Sequence, residues 1–146
     1  MPWLLLLPLA VAAVAYARVL DGELQLDDFV AVAANPAVRD PGGSLRRLLD
    51  PSAWAGRPVT DLTFALNHAA SGLRPRAYHA VNVAIHLAAS ALAFLLARRV
   101  LRLAGAERAE GTALLAASLF ALHPLQSQAV SYVAQRSESL SSALYL

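Results

Sequence analysis

Two carboxylates stand side by side at Asp27-Asp28, in a polar stretch that follows the first apolar run of the chain. Chemistry at a bond flanked by two carboxyls needs them facing each other at roughly 5–9.5 Å. Adjacent residues cannot do this. On a strand they point to opposite faces, and on a helix they diverge by about 100°. The pair therefore suits a division of labour, in which one carboxylate acts as a base while the other anchors the loop, pairs with an arginine or holds a cation. The alternative is structural: acidic residues capping a helix that starts near Phe29.

A second set of polar groups, His79, Asn82, His86 and Ser90, interrupts an apolar stretch at offsets of 0, 3, 7 and 11. At 3.6 residues per turn they share one arc of roughly 80°. Polar side chains on a membrane helix face a bundle interior or a wet cavity, where they also hold helices together. His86 and Ser90, deep in the stretch, read as glue, while His79 at its boundary reads equally as glue or as a functional group. His79 and His86 are about 10 Å apart along a helix axis, too far to share one metal ion.

The elements that position these groups follow from the distribution of charge. The chain of 146 residues is 58% hydrophobic and 15% charged, whereas soluble domains run near 45–50% and about 25%. Trp3 to Ala17 are fifteen uncharged residues, which with an extension to Leu20 can cross a bilayer. A cleaved signal peptide with Ala15-Tyr16-Ala17 as its cleavage site is the alternative, although no Lys or Arg precedes the run. Residues 21–76 hold seven of the ten acidic residues and six of the twelve arginines. Turn signals at Asn35-Pro36, Pro41-Gly42-Gly43, Asp50-Pro51 and Arg57-Pro58 divide them. Short amphipathic helices are predicted between the turns, with Ser44 capping Leu45 to Leu49 and Thr60 capping Asp61 to Ala70. Ala77 to Ala97 are twenty-one residues without Asp, Glu, Lys or Arg, the clearest span. Ala80, Ala84 and Ala88 offer it a small-residue face for a neighbouring helix.

Arg98, Arg99, Arg102 and Arg108 follow that span, and the positive-inside rule makes this end cytoplasmic. The expected layout is a span at 3–20, an outer loop at 21–76, a span at 77–97 and a cytoplasmic loop at 98–110. A short span at 111–123, an outer connection at 124–138 and the start of a further span at 139–146 complete it. The fold class is all-α, a polytopic transmembrane helix bundle with short amphipathic helices in the first outer loop. All twelve basic residues are arginine, and none lies in a basic run interleaved with aromatics; nucleic-acid binding has no support. The absence of cysteine excludes thiol chemistry and disulfides in this segment.

Three ordered blocks carry a resemblance. The first is Leu26-Asp27-Asp28-Phe29 followed by Asn35-Pro36. The second runs from Arg57-Pro58-Val59-Thr60 through Phe64-Ala65-Leu66-Asn67 to Tyr78-His79-Ala80-Val81-Asn82. The third runs from Leu119-Phe120-Ala121-Leu122-His123-Pro124 to Val130, followed by Gln135-Arg136. Together they resemble the transmembrane O-mannosyltransferases with tetratricopeptide repeats and their bacterial relatives. The resemblance covers most of residues 26–136. Gln126 and Gln128 stand where the eukaryotic pattern has a further His and a Glu, which looks like the bacterial branch.

The resemblance implies the N-terminal part of a glycosyltransferase of the multi-span C-type fold, acting at the non-cytoplasmic face of a bacterial inner membrane. It implies a polyprenyl-phosphate sugar donor, with a mannose-like sugar, and a protein or glycan acceptor. Tetratricopeptide repeats often follow the membrane domain in this family. Asp27 or Asp28 is the expected base, with motif order favouring Asp27. Arg57, His79, His123 and Arg136 are the expected ligands of donor phosphate or sugar. The resemblance fixes no cofactor, and a divalent cation is compatible with the acidic pair. Two other readings compete: a non-catalytic membrane anchor whose loop binds a partner, and a transporter fragment. A transporter favours a broken span, and Ala77 to Ala97 contains neither Gly nor Pro.

Overall fold

The computed structural model describes residues 2–54 and 56–146. Among the described residues every regular element is helical. A short 3₁₀ turn leads into α1 (Leu6–Ala15), and a second 3₁₀ turn continues to Asp21. Trp3–Asp21 is long and apolar enough to cross a membrane. Pro8, Ala12 and Tyr16, four residues apart, are its buried face.

The polar stretch that follows folds by proline and aspartate signals. Asn35 accepts a hydrogen bond from the Ala37 amide (3.0 Å) and starts a 3₁₀ turn at Pro36. Asp40 then accepts from the Gly43 amide (2.8 Å) and caps α2 (Pro41–Leu49). α3 (Pro58–Ser71) opens with Pro58 in its first turn and ends at Gly72, whose φ of 63° is left-handed. Both prolines sit where a missing N–H costs nothing. These starts correct two predicted caps. Asp40 and not Ser44 caps α2, and Ser44 is buried inside it, donating to the Ala37 carbonyl (2.8 Å). α3 begins two residues before Thr60, which is also buried within the helix.

α4 (Pro75–Leu103) is one unbroken helix of 29 residues, about 44 Å long at 1.5 Å per residue. It contains the predicted span 77–97 and runs beyond it at both ends. Gly105, at φ 72°, reverses the chain after it, and the Ala106 amide returns to the Leu101 carbonyl (3.0 Å). This is the glycine-dependent helix stop. α5 (Ala109–Leu122) lies back along α4 and ends before His123-Pro124, as the restriction on residues preceding proline requires. At 14 residues it covers about 21 Å, less than the roughly 30 Å of a hydrocarbon core. α6 (Gln126–Ser131) and α7 (Arg136–Tyr145) complete the fold.

Two apolar clusters hold these elements. Phe94 of α4 packs with Ala113 and Ala117 of α5, and Leu5 joins them. Val32, Val38, Phe64, Tyr78 and Val133 form the other, beneath the polar loop. The predicted polar face of α4 is buried along its length, at His79, Asn82, His86 and Ser90. The small-residue face is a correction. Ala80, Ala84 and Ala88 are exposed; the close approach is made by Ala109, Ala113, Ala117 and Ala121 of α5, all buried. Small side chains every fourth residue let the two backbones come together.

Candidate functional site

Asp27 and Asp28 diverge as adjacent side chains must. Asp28 is 1% exposed. Its Oδ2 accepts from the Gln25 amide (3.0 Å) and its Oδ1 from the Ala134 amide (2.7 Å). The second bond joins the loop after α1 to the turn between α6 and α7, 106 residues away. Asp27 is exposed, and its carboxylate has no hydrogen-bond or ion-pair partner among the described residues. A single turn of π-helix, Phe29–Ala33, follows the pair. Asp28 stands at its start without a side-chain capping bond, which corrects the capping alternative. Leu26, just before the pair, has φ 40°, a left-handed conformation that costs a branched side chain on the order of 1–3 kcal/mol. The Asp28 amide bonds back to the Gln25 carbonyl (2.7 Å), so Asp28 grips both backbone groups of Gln25 and holds the turn shut around Leu26.

Arg136, at the start of α7, is fully buried. Its Nε donates to Asn82 Oδ1 (2.8 Å), and its Nη2 donates to Asn67 Oδ1 (3.0 Å) and the Tyr78 carbonyl (3.1 Å). The guanidinium lies over the Phe64 ring at 4.4 Å, and Nη1 has no partner. Asn82 in turn donates to the Tyr132 carbonyl (2.9 Å). One planar fork thus ties α3, α4 and α7 together, which is a role suited to arginine and not to lysine. Burial lowers its pKa to about 10, so it remains charged at neutral pH. The same turn, 132–136, supplies the Ala134 amide that Asp28 accepts.

His79 is buried beside this junction; neither ring nitrogen makes a well-aligned hydrogen bond, and the Gly22 and Glu23 backbone lies close against the ring. It lies within electrostatic reach of Asp28 and of Arg136. Together with Gly22, Gln25, Asp28, Ser131 and Tyr132 it lines a cavity of about 100 Å³, room for a hydroxyl group and a few waters. A Cβ on Gly22 would come within 3.1 Å of His79 Nε2 and 3.0 Å of the Val19 carbonyl oxygen; glycine is what lets the chain pass this ring.

Arg57 is exposed and donates from Nη1 to Ser137 Oγ (2.7 Å). It opens a groove of about 250 Å³ shared with Val59, Ser137, Glu138, Leu140 and Leu144. His123 is exposed after α5, where its Nδ1 accepts from the Leu125 amide (3.2 Å). The fold therefore joins Asp28, His79 and Arg136 in one interior junction. Asp27 stands beside it, Arg57 sits at a separate groove above the same α7, and His123 lies apart. His86 is glue: Nε2 is 3.0 Å from the Ala121 carbonyl oxygen, and the ring stacks on Phe120 and meets Tyr16 edge-on. Among the described residues no group of three His, Cys, Asp or Glu is placed to hold a metal ion. Sequence reasoning assigned no role to Gly22, Asn67 or Tyr78; Asn67 and Tyr78 lie in the resembling blocks, while Gly22 carried no signal.

Known proteins share this chain's pattern across nearly its whole length. It is 34% identical over 148 residues to protein O-mannosyl-transferase Tmtc1 of Drosophila melanogaster, covering 94% of this chain and 16% of that protein. It is 32% identical over 148 residues to human protein O-mannosyl-transferase TMTC1, covering 92% of the chain and 16% of the relative. For human protein O-mannosyl-transferase TMTC4 the identity is 32% over 162 residues, with 99% and 22% covered. The chain thus spans about a sixth to a fifth of the length of these curated relatives. No family model and no solved structure matches it.

Proposed function

From this homology to the protein O-mannosyl-transferases, we propose that the chain is part of a membrane glycosyltransferase of the C-type fold. The reaction moves a mannose-like sugar from a polyprenyl phosphate to an acceptor hydroxyl at the non-cytoplasmic face. In this reading the Arg-rich end of α4 is cytoplasmic, and residues 21–76 and 124–138 share the outer side. The observation that carries it is the environment of the acidic pair, with one carboxylate clamped at both oxygens and its neighbour open and unpartnered.

Asp27 acts as the base. The acceptor oxygen attacks the anomeric carbon as the carbon–phosphate oxygen bond breaks. The bonding pair leaves with the polyprenyl phosphate, and the hydroxyl proton passes to the Asp27 carboxylate. The configuration inverts. A phosphate leaves without protonation, so it needs a cation more than an acid. Arg57 supplies that charge through a planar donor fork, in a groove whose Val59, Leu140 and Leu144 suit the first carbons of a lipid. Glu138 in the same groove repels a phosphate, so in this reading the phosphate sits at the Arg57 end. Asp28 and Arg136 position the base, and His79 faces the small cavity beside it, where a sugar or acceptor hydroxyl fits. His123 lies outside this arrangement and serves at most the outer rim.

The test is transfer by the full-length protein in membranes from polyprenyl-phosphate mannose, with a nucleotide-linked mannose as the second donor. Transfer from the lipid donor alone is expected. Transfer from the nucleotide donor alone, or from neither, contradicts the reading.

A further inference from the structure

The opposite end of α4 carries a feature that sugar transfer does not use. Leu95, Arg98, Arg99, Arg102 and Leu103 line a surface cavity of about 470 Å³. Leu95, Arg98, Arg99 and Arg102 fall within an arc of about 100° on the helix, and the long arginine side chains at its two edges can converge on one phosphate. The face is amphipathic in a particular order: Leu95 belongs to the apolar stretch, and the arginines begin immediately after it. Residues 77–97, twenty-one positions without Asp, Glu, Lys or Arg, cover about 31 Å, the thickness of a hydrocarbon core. The guanidinium groups therefore lie at headgroup depth when α4 spans a bilayer.

The charge on this face is largely unspent. Arg99 has no ion-pair or hydrogen-bond partner among the described residues, and Arg98 has only the Phe94 ring, 5.5 Å away. Arg102 is the exception, paired with Glu110. Leu95 and Leu103 are both exposed at this cavity, one on each side of the cations. An unpaired cation pair flanked by apolar side chains, at the boundary of a span, matches a phosphate that carries acyl chains.

We propose that this cavity binds the headgroup of an anionic phospholipid, with Arg98 and Arg99 on the phosphate and Leu95 along the acyl chain. The inference rests on α4 being a membrane span and is independent of the sugar-transfer chemistry. Its partner is selected by charge and by the apolar flank together. A zwitterionic lipid offers no net charge, and a free phosphate offers no chain.

The experiment is native mass spectrometry of the full-length protein in mild detergent, titrated with phosphatidylglycerol, phosphatidylcholine and inorganic phosphate. Phosphatidylglycerol is expected to bind more tightly than phosphatidylcholine. The R98Q/R99Q variant should lower that binding about 25-fold, at roughly fivefold for each arginine near a membrane surface. The R98K/R99K variant keeps the charge and should retain most of the binding, which separates charge loss from a disturbed topology. Equal affinity for the two lipids overturns the proposal, as does R98Q/R99Q binding that matches wild type. Displacement of the lipid by millimolar inorganic phosphate does so as well, because it makes the cavity a site for free phosphate. Extraction of the protein by alkaline carbonate tests the span itself, separately from lipid choice.

Discussion

Asp27 and Asp28 are neighbours in sequence with opposite surroundings. Their divergence was legible, since adjacent side chains cannot face one bond. Which of the two is buried was not, because the bond that decides it comes from the Ala134 amide, 106 residues away. The consequence is measurable. Asp28→Asn places an amide NH₂ against one of two backbone N–H donors, and an unsatisfied buried donor costs about 1–3 kcal/mol. Asp28→Asn is expected to lower the unfolding midpoint of the full-length protein, whereas Asp27→Asn is expected to leave it unchanged. Arg136 was legible as a candidate cation, but its burial was not. It is held by Asn67, Tyr78 and Asn82, residues from two other helices. Arg136→Lys loses the planar fork and the stacking on Phe64. It is expected to destabilise by roughly 2 kcal/mol or more, as Asn67 and Asn82 lose a buried donor, and to reduce sugar transfer without changing donor KM. A rise in donor KM with stability intact would instead make Arg136 a donor-phosphate ligand.

At the scale of elements, the periodicity of α4 showed its polar face, and the structure buries that face from His79 to Ser90. The small-residue faces were harder. Ala80, Ala84 and Ala88 share their spacing with Ala113, Ala117 and Ala121, and a sequence alone does not say which stripe meets a helix. The α5 stripe does so here. Ala117→Leu is expected to overpack the α4–α5 contact at a cost of about 1–3 kcal/mol, while Ala84→Leu is expected to stay within about 0.5 kcal/mol. Thermal unfolding of the two variants in one detergent checks this, and an equal loss in both would mean that Ala84 is also packed. Helix starts moved for a local reason. Proline in the first turn and Asp40 outcompete serine and threonine as signals, so α2 and α3 begin earlier than the Ser44 and Thr60 pattern implied.

At the scale of the whole molecule, the apolar excess and charge deficit agree with two helices, Trp3–Asp21 and Pro75–Leu103, long and apolar enough to cross a membrane. α4 is unbroken, which removes the feature a transporter fragment favours. The all-helical class was legible from composition and periodicity. The tertiary junction was not, since it joins the loop after α1, the middle of the chain and the start of α7 through single hydrogen bonds. The protein O-mannosyl-transferases that this chain is similar to are about five to six times longer than the stretch they share with it, and the sugar-transfer reading rests on that similarity. The most direct measurement is the rate of mannose transfer from polyprenyl-phosphate mannose by full-length wild type and Asp27→Asn at matched membrane levels. A general base contributes on the order of 10²–10⁴-fold. A loss in that range for Asp27→Asn, with the protein folded, is the expected result. Transfer by Asp27→Asn at the wild-type rate would contradict the account.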